Sequence, residues 1–121
     1  MKKILITGGF GMIGRRLALI LKKKKYQLLI IDNLISKLIP IKGINFIKGD
    51  ISKEDILEKA FKKFNPEIIY HLAAIHHIPT CEQKRSYSQK VNIIGTEILL
   101  KLAEKYKSKK VIIASSGAVY N

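Results

Sequence analysis

The chain has 121 residues, 47% hydrophobic and 26% charged, which suits one domain with its own core and is too short for two. Its net charge is +14, yet its 23 basic residues, only Arg15, Arg16 and Arg85 being arginine, are spread along the chain without any nucleic-acid motif, so no nucleic-acid partner is expected. The single cysteine, Cys81, excludes an internal disulfide framework and points to a reducing cytoplasm, while the N-terminal apolar run is broken by Gly8, Gly9 and Gly11, too short for a signal peptide, and no stretch approaches membrane-spanning length.

In chain order, Ile4 to Thr7 reads as a short buried strand. Met12 to Lys23 reads as a helix with Ile13, Leu17, Ile20 and Leu21 on one side. Leu28 to Ile31 is an apolar run of strand length that ends at Asp32, and Asn33 to Lys42 is a loop. Ile44 to Ile47 forms a third strand. Ser52-Lys53-Glu54-Asp55 fits a capping box with Ser52 as N-cap, and the helix that follows carries Ile56, Leu57, Ala60, Phe61 and Phe64 before Pro66. Glu67 to His71 is a fourth strand. Ser86 to Tyr106 is a long helix with Val91, Ile94, Ile98, Leu102 and Tyr106 near helical spacing, and Lys110 to Ala114 is a fifth strand. Strands that alternate with helices and read as continuous apolar runs predict a parallel α/β sheet covered on both faces.

Thr7-Gly8-Gly9-Phe10-Gly11-Met12-Ile13-Gly14 follows the first strand and opens a helix. It fits G-x-G-x-x-G through Gly9, Gly11 and Gly14, and T-G-x-x-G-x-x-G through Thr7, Gly8, Gly11 and Gly14. In either register a pyrophosphate can approach backbone N–H groups at a helix N-terminus, where a side chain would block it. Asp32, 18 residues after Gly14, ends the second strand, where a carboxylate can accept from adenosine ribose hydroxyls and repel a 2′-phosphate. NAD is therefore favoured over NADP, although Arg15 and Arg16 lie close enough in sequence to serve a 2′-phosphate. A P-loop is excluded, because Arg15 and Arg16 follow Gly14 where that motif needs lysine and a hydroxyl.

Together these segments resemble the extended short-chain dehydrogenases, specifically the NAD-dependent epimerase/dehydratase family acting on nucleotide sugars. The resemblance implies a Rossmann-type doubly wound sheet, order 3-2-1-4-5, truncated after the fifth strand. It also implies an NAD-binding domain over residues 1–121 without the C-terminal substrate region. Gly8, Gly11, Met12, Ile13 and Gly14 correspond to the family's cofactor loop, and Asp32-Asn33 to its ribose-binding segment. Asp50-Ile51 resembles the segment whose acid meets the adenine amino group, and Leu72-Ala73-Ala74 the loop that runs along the cofactor. Asn92 resembles a structural asparagine of the long helix, and Ser116 the active-site serine. The implied chemistry is hydride transfer between NAD and a sugar carbon, with nucleotide sugar as substrate and a Tyr-x-x-x-Lys pair as base.

That pair should follow Ser116, but only five residues do. The match Tyr106-Lys107-Ser108-Lys109-Lys110 precedes the fifth strand, on the face opposite the expected site, and is read as chance. The chain is accordingly expected to be catalytically incomplete alone; the rival readings are a non-catalytic dinucleotide-binding module, a subunit of a split enzyme, or a basic nucleic-acid binder. His71, His76, His77 and Cys81 form a loose cluster of ligand types with Pro79 inside it, and no metal is expected. Val111-Ile112-Ile113 is an apolar edge that invites a second copy or a partner chain.

Overall fold

The computed structural model describes residues 2–34, 39–73 and 93–114. In chain order these form β1 (Lys3–Thr7), α1 (Met12–Lys23), β2 (Gln27–Asp32), β3 (Asn45–Lys48), α2 (Glu54–Phe64), β4 (Ile68–His71), α3 (Gly95–Lys105) and β5 (Lys110–Ile113). All five strands lie in one sheet in the order β3-β2-β1-β4-β5. Each neighbouring pair is parallel. This is the Rossmann-type sheet and the strand order that the sequence predicts.

The period of two along a strand divides the apolar residues between two layers. Leu5, Leu29, Ile31 and Ile69 pack with Leu57, Ala60 and Phe61 of α2 and with Leu99, Leu102 and Ala103 of α3. Ile4, Ile6, Leu28 and Ile30 pack on the other face with Ala18 and Leu21 of α1, and with Phe10 and Ile44. Both faces of the inner strands are covered, so these strands are apolar without alternation. Each large side chain buried this way contributes roughly 1.5–3 kcal/mol. At the β5 edge, Val111 is half-buried, while Ile112 and Ile113 are 37% and 47% exposed.

Three local expectations are corrected. On α1 the buried residues are Gly14, Ala18 and Leu21, with Leu17 packed at the margin, whereas Ile13 and Ile20 are exposed. Close approach of the helix to the glycine loop requires small residues on its inner face, so the bulkier isoleucines point outward. On α3 the inner stripe is Gly95, Leu99, Leu102 and Ala103, and Ile94 is exposed; a Cβ on Gly95 would lie 2.7 Å from the Ile51 side chain, which fixes that face inward. Residues 86–92 of the predicted long helix, Val91 among them, lie outside the described residues. Ser52 is not the N-cap of α2: the cap position is Lys53, with no side-chain cap bond. The Ser52 hydroxyl donates to Asp50 Oδ1 at 2.8 Å, an acceptor strengthened by its charge. The other end of α2 stops as expected before Pro66, through Asn65 in the left-handed region (φ 50°). Among the described residues no helix is long and apolar enough to cross a membrane.

Candidate functional site

The site lies at the C-terminal ends of the parallel strands, where each ladder bond is continued by the next segment. Gly8 N–H donates to Ile31 O at 2.7 Å, Gly49 N–H to Asp32 O at 3.1 Å, and Leu72 N–H to Thr7 O at 3.0 Å. Loops after β1, β2, β3 and β4 are thereby gathered along one rim, the place where open α/β sheets take ligands.

The loop after β1 is built on backbone approach. Gly8 adopts φ +69°, and a Cβ there would stand 2.9 Å from the backbone of Leu72 and Ala73. Gly11 N–H donates to Gly8 O at 3.1 Å, and Arg15 N–H to Gly11 O at 2.8 Å begins α1. A Cβ on Gly14 would lie 2.4 Å from Gly8 O and 2.7 Å from Gly9 Cα, so α1 rests directly on the loop. At Gly11 the same test meets only Gly8 O, at 3.4 Å, which leaves a cradle. The amides of Met12, Ile13 and Gly14 precede the first intrahelical bond, and no acid occupies this turn. The Met12 and Ile13 side chains are 80% and 69% exposed. An open cradle, first-turn amides and the positive end of a helix dipole suit a pyrophosphate.

Asp32 ends β2 with its carboxylate buried, and both oxygens are held by amides. Oδ2 accepts from Phe10 N–H at 2.9 Å and Oδ1 from Leu34 N–H at 2.7 Å. An ionised carboxylate has about four acceptor positions, so each oxygen can still accept a ribose hydroxyl. Asn33 is half-buried beside it. Arg15 is directed elsewhere: its guanidinium donates to Ile39 O and lies 5.9 Å from the Phe10 ring.

After β3, Asp50 Oδ1 accepts from both Ser52 N–H, at 2.9 Å, and the Ser52 hydroxyl. The Ile51 side chain is buried among α2 and α3, leaving only its backbone for a ligand. Leu72 and Ala73 are half-buried where β4 ends, against Gly8. The structure thus brings Gly8, Gly11, Met12, Ile13, Gly14, Asp32, Asn33, Asp50, Leu72 and Ala73 to one rim. Ala74, Asn92 and Ser116, with His76, His77 and Cys81, lie outside the described residues.

One constellation escapes a reading by motif. Thr7 and His71 stand opposite each other in the β1–β4 register. Thr7 Oγ1 is 2.7 Å from His71 Nδ1, and His71 Nε2 is 2.8 Å from Thr96 Oγ1 on α3. Leu72 N–H and Ala73 N–H both donate to Thr7 Oγ1 at 3.1 Å. Burial lowers the His71 pKa to about 4. Both threonines were visible in the sequence, but nothing local pairs them with a histidine 64 residues from one and 25 from the other.

Tyr106 sits at the opposite end of the domain. Its hydroxyl donates to Glu58 Oε2 at 3.1 Å, and burial together with that carboxylate raises its pKa. Lys105 Nζ is 2.6 Å from the same oxygen.

The sequence profile of the NAD dependent epimerase/dehydratase family matches residues 4–121. A dTDP-D-glucose 4,6-dehydratase of Dictyostelium discoideum is 38% identical over 98% of this chain and 30% of its own length. A putative UDP-glucose 4-epimerase of Methanocaldococcus jannaschii is 34% identical over 97% of this chain and 39% of its own. The solved UDP-glucose 4-epimerase of Thermotoga maritima, with UDP-glucose, superposes at a TM-score of 0.90 with 33% identity, over 95% of this chain and 38% of that one. The Thermus thermophilus enzyme in complex with NAD superposes at 0.86 with 29% identity and the same coverage. The chain therefore spans well under half the length of these relatives.

Proposed function

The chain belongs to the NAD dependent epimerase/dehydratase family, and on that premise we propose that it is the NAD-binding portion of a nucleotide-sugar epimerase or dehydratase. The observation that carries this reading is the joining of loop and acid: the cradle at Gly11, the first-turn amides of α1 and the Asp32 carboxylate share one rim, tied together by the Phe10–Asp32 hydrogen bond. Met12 and Ile13 amides hold the pyrophosphate, Asp32 and Asn33 the adenosine ribose, and Asp50 the adenine amino group. Leu72 and Ala73 run along the cofactor, and the family resemblance extends the reading to Ala74 beside them, to Asn92 as a structural asparagine and to Ser116 as the residue that hydrogen-bonds the reacting sugar oxygen.

When bound, NAD supplies the hydride acceptor and donor. The residues of this chain supply orientation. Asp32 fixes the adenosine end and, by like-charge repulsion, disfavours a 2′-phosphate. The only Tyr-x-x-x-Lys match in these 121 residues runs from Tyr106 to Lys110. Its tyrosine is bonded to Glu58 with a raised pKa, the reverse of what a base at neutral pH needs. The 121-residue chain alone is accordingly a cofactor binder without turnover. The Dictyostelium and Thermotoga proteins, a dTDP-glucose dehydratase and an epimerase solved with UDP-glucose, support a nucleotide sugar as substrate of the complete enzyme.

Calorimetric titration with NAD and then NADP tests the cofactor assignment. Saturable NAD binding with weaker NADP binding is expected. Equal affinity for both would remove the role given to Asp32, and binding of neither would remove the site.

A further inference from the structure

We propose that His71 is a positioning residue for the cofactor site, held as a neutral ring with its proton on Nε2 and fixing the Leu72–Ala73 backbone through Thr7. The inference deepens the NAD-binding reading and rests on it for its functional half; the proton assignment stands on geometry alone.

The argument is a count of donors and acceptors. A threonine hydroxyl has one hydrogen and two acceptor lone pairs. At Thr7 two amides, which can only donate, point at Oγ1, each at 3.1 Å: Ala73 N–H, and Leu72 N–H, whose hydrogen is shared with Thr7 O at 3.0 Å. The single hydroxyl hydrogen is then left for the 2.7 Å contact with His71 Nδ1. With two amides facing the acceptor side of Thr7 Oγ1, Nδ1 is assigned as the acceptor, without a proton. The ring proton sits on Nε2 and is donated to Thr96 Oγ1 at 2.8 Å. The chain of bonds therefore has one direction, from β1 through β4 to α3. A protonated ring would set two hydrogens against each other on the Thr7–His71 line unless Thr7 released an amide. His71 is 4% exposed and Thr7 fully buried, so water cannot take either place cheaply.

The two amides that Thr7 receives belong to the segment packed on the glycine loop. Leu72 and Ala73 backbone atoms come within 2.9 Å of the point where a Gly8 Cβ would stand. Orienting Thr7 thus sets how closely the post-β4 loop approaches the dinucleotide loop. His71 orients Thr7 by accepting its only hydrogen, and Thr96 orients His71 from the other side. A histidine that touches no ligand acts on the cofactor wall through a hydroxyl.

The test uses the 121-residue protein with ¹⁵N-labelled histidine. The expected spectrum shows His71 Nδ1 at an unprotonated, pyridine-type shift and Nε2 at a protonated, pyrrole-type shift, unchanged from neutral pH to about pH 5. A protonated Nδ1, or titration at an ordinary histidine value, would overturn the assignment. His71→Leu removes the acceptor; it should speed hydrogen exchange of the Ala73 amide, whose bond runs to Thr7 Oγ1, and weaken NAD binding about tenfold. His71→Asn, which can place an amide oxygen where Nδ1 was, should recover most of both. Should His71→Leu not fold, Thr7→Val against Thr7→Ser makes the same comparison. Unchanged exchange at Ala73 in a folded variant would overturn the positioning role whether or not NAD binds. Failure of the wild-type protein to bind NAD, with the tautomer and exchange results as expected, would overturn the cofactor reading instead.

Discussion

Phe10 and Asp32 are joined across the rim of the site: the Phe10 amide, in the glycine loop after β1, donates to Asp32 Oδ2 at the end of β2 at 2.9 Å. With Leu34 N–H on Oδ1, the carboxylate is positioned by the two segments between which the adenosine ribose would lie. Its orientation is set before any ligand arrives, which lowers the ordering cost of binding.

Replacing Asp32 by alanine should therefore act twice. NAD affinity should fall by about 1.5–3 kcal/mol through loss of hydrogen bonds to a charged group, and the Phe10 amide should lose its partner. Asp32→Asn keeps one amide acceptor and should retain more stability than affinity. Calorimetry paired with urea unfolding separates the two effects; an unchanged NAD affinity in Asp32→Ala would sink the ribose assignment.

The glycines of the loop should divide by function. A Cβ at Gly14 would collide with Gly8 O and Gly9 Cα, backbone atoms that cannot swing aside. Gly14→Ala should cost about 1–3 kcal/mol of stability by overpacking. At Gly11 the nearest atom would be 3.4 Å away, so Gly11→Ala should leave stability nearly intact and weaken NAD binding by filling the cradle. Equal destabilisation by both variants would contradict this division.

Acid should unfold the protein partly through His71. Burial holds its pKa near 4, below the ordinary 6.5. Between those values the unfolded chain takes up a proton that the folded ring refuses. Stability is thus fully present above about pH 6.5 and declines as pH falls toward 4, by at most about 3 kcal/mol. Urea midpoints measured across this window should drop in the wild type and drop less in His71→Asn. A wild-type midpoint that stays flat there would show the ring is not held neutral.

Tyr106→Phe supplies a control for the base. The hydroxyl is bound to Glu58 at the end of α3 remote from the rim, so its removal should leave NAD affinity unchanged. Any NADH formed from added nucleotide sugar should be equally insensitive to it. Loss of such activity in Tyr106→Phe would restore the Tyr106–Lys110 motif as a catalytic pair.

The order of strands and helices, the glycine loop that opens α1 and the acid that ends β2 were all legible in the sequence, because each is written in a run of adjacent residues. Apolar runs of four or five mark strands buried on both faces, and glycines at fixed spacing mark a backbone that must meet a ligand or a helix. What a side chain faces is another matter. The inward face of α1 turned on the clearance above Gly8 and Gly9, so Gly14 and Ala18 lie inside while Ile13 and Ile20 lie outside. Ser52 has the spacing of a cap but spends its hydroxyl on Asp50. The Thr7–His71–Thr96 chain joins three elements, and nothing in the sequence pairs Thr7 of the glycine motif or Thr96 with His71. Sequence determined the local conformations of this protein, since those depend on near neighbours. Tertiary structure alone decided which polar atoms share a proton, because parallel strands bring together residues that the chain holds dozens of positions apart.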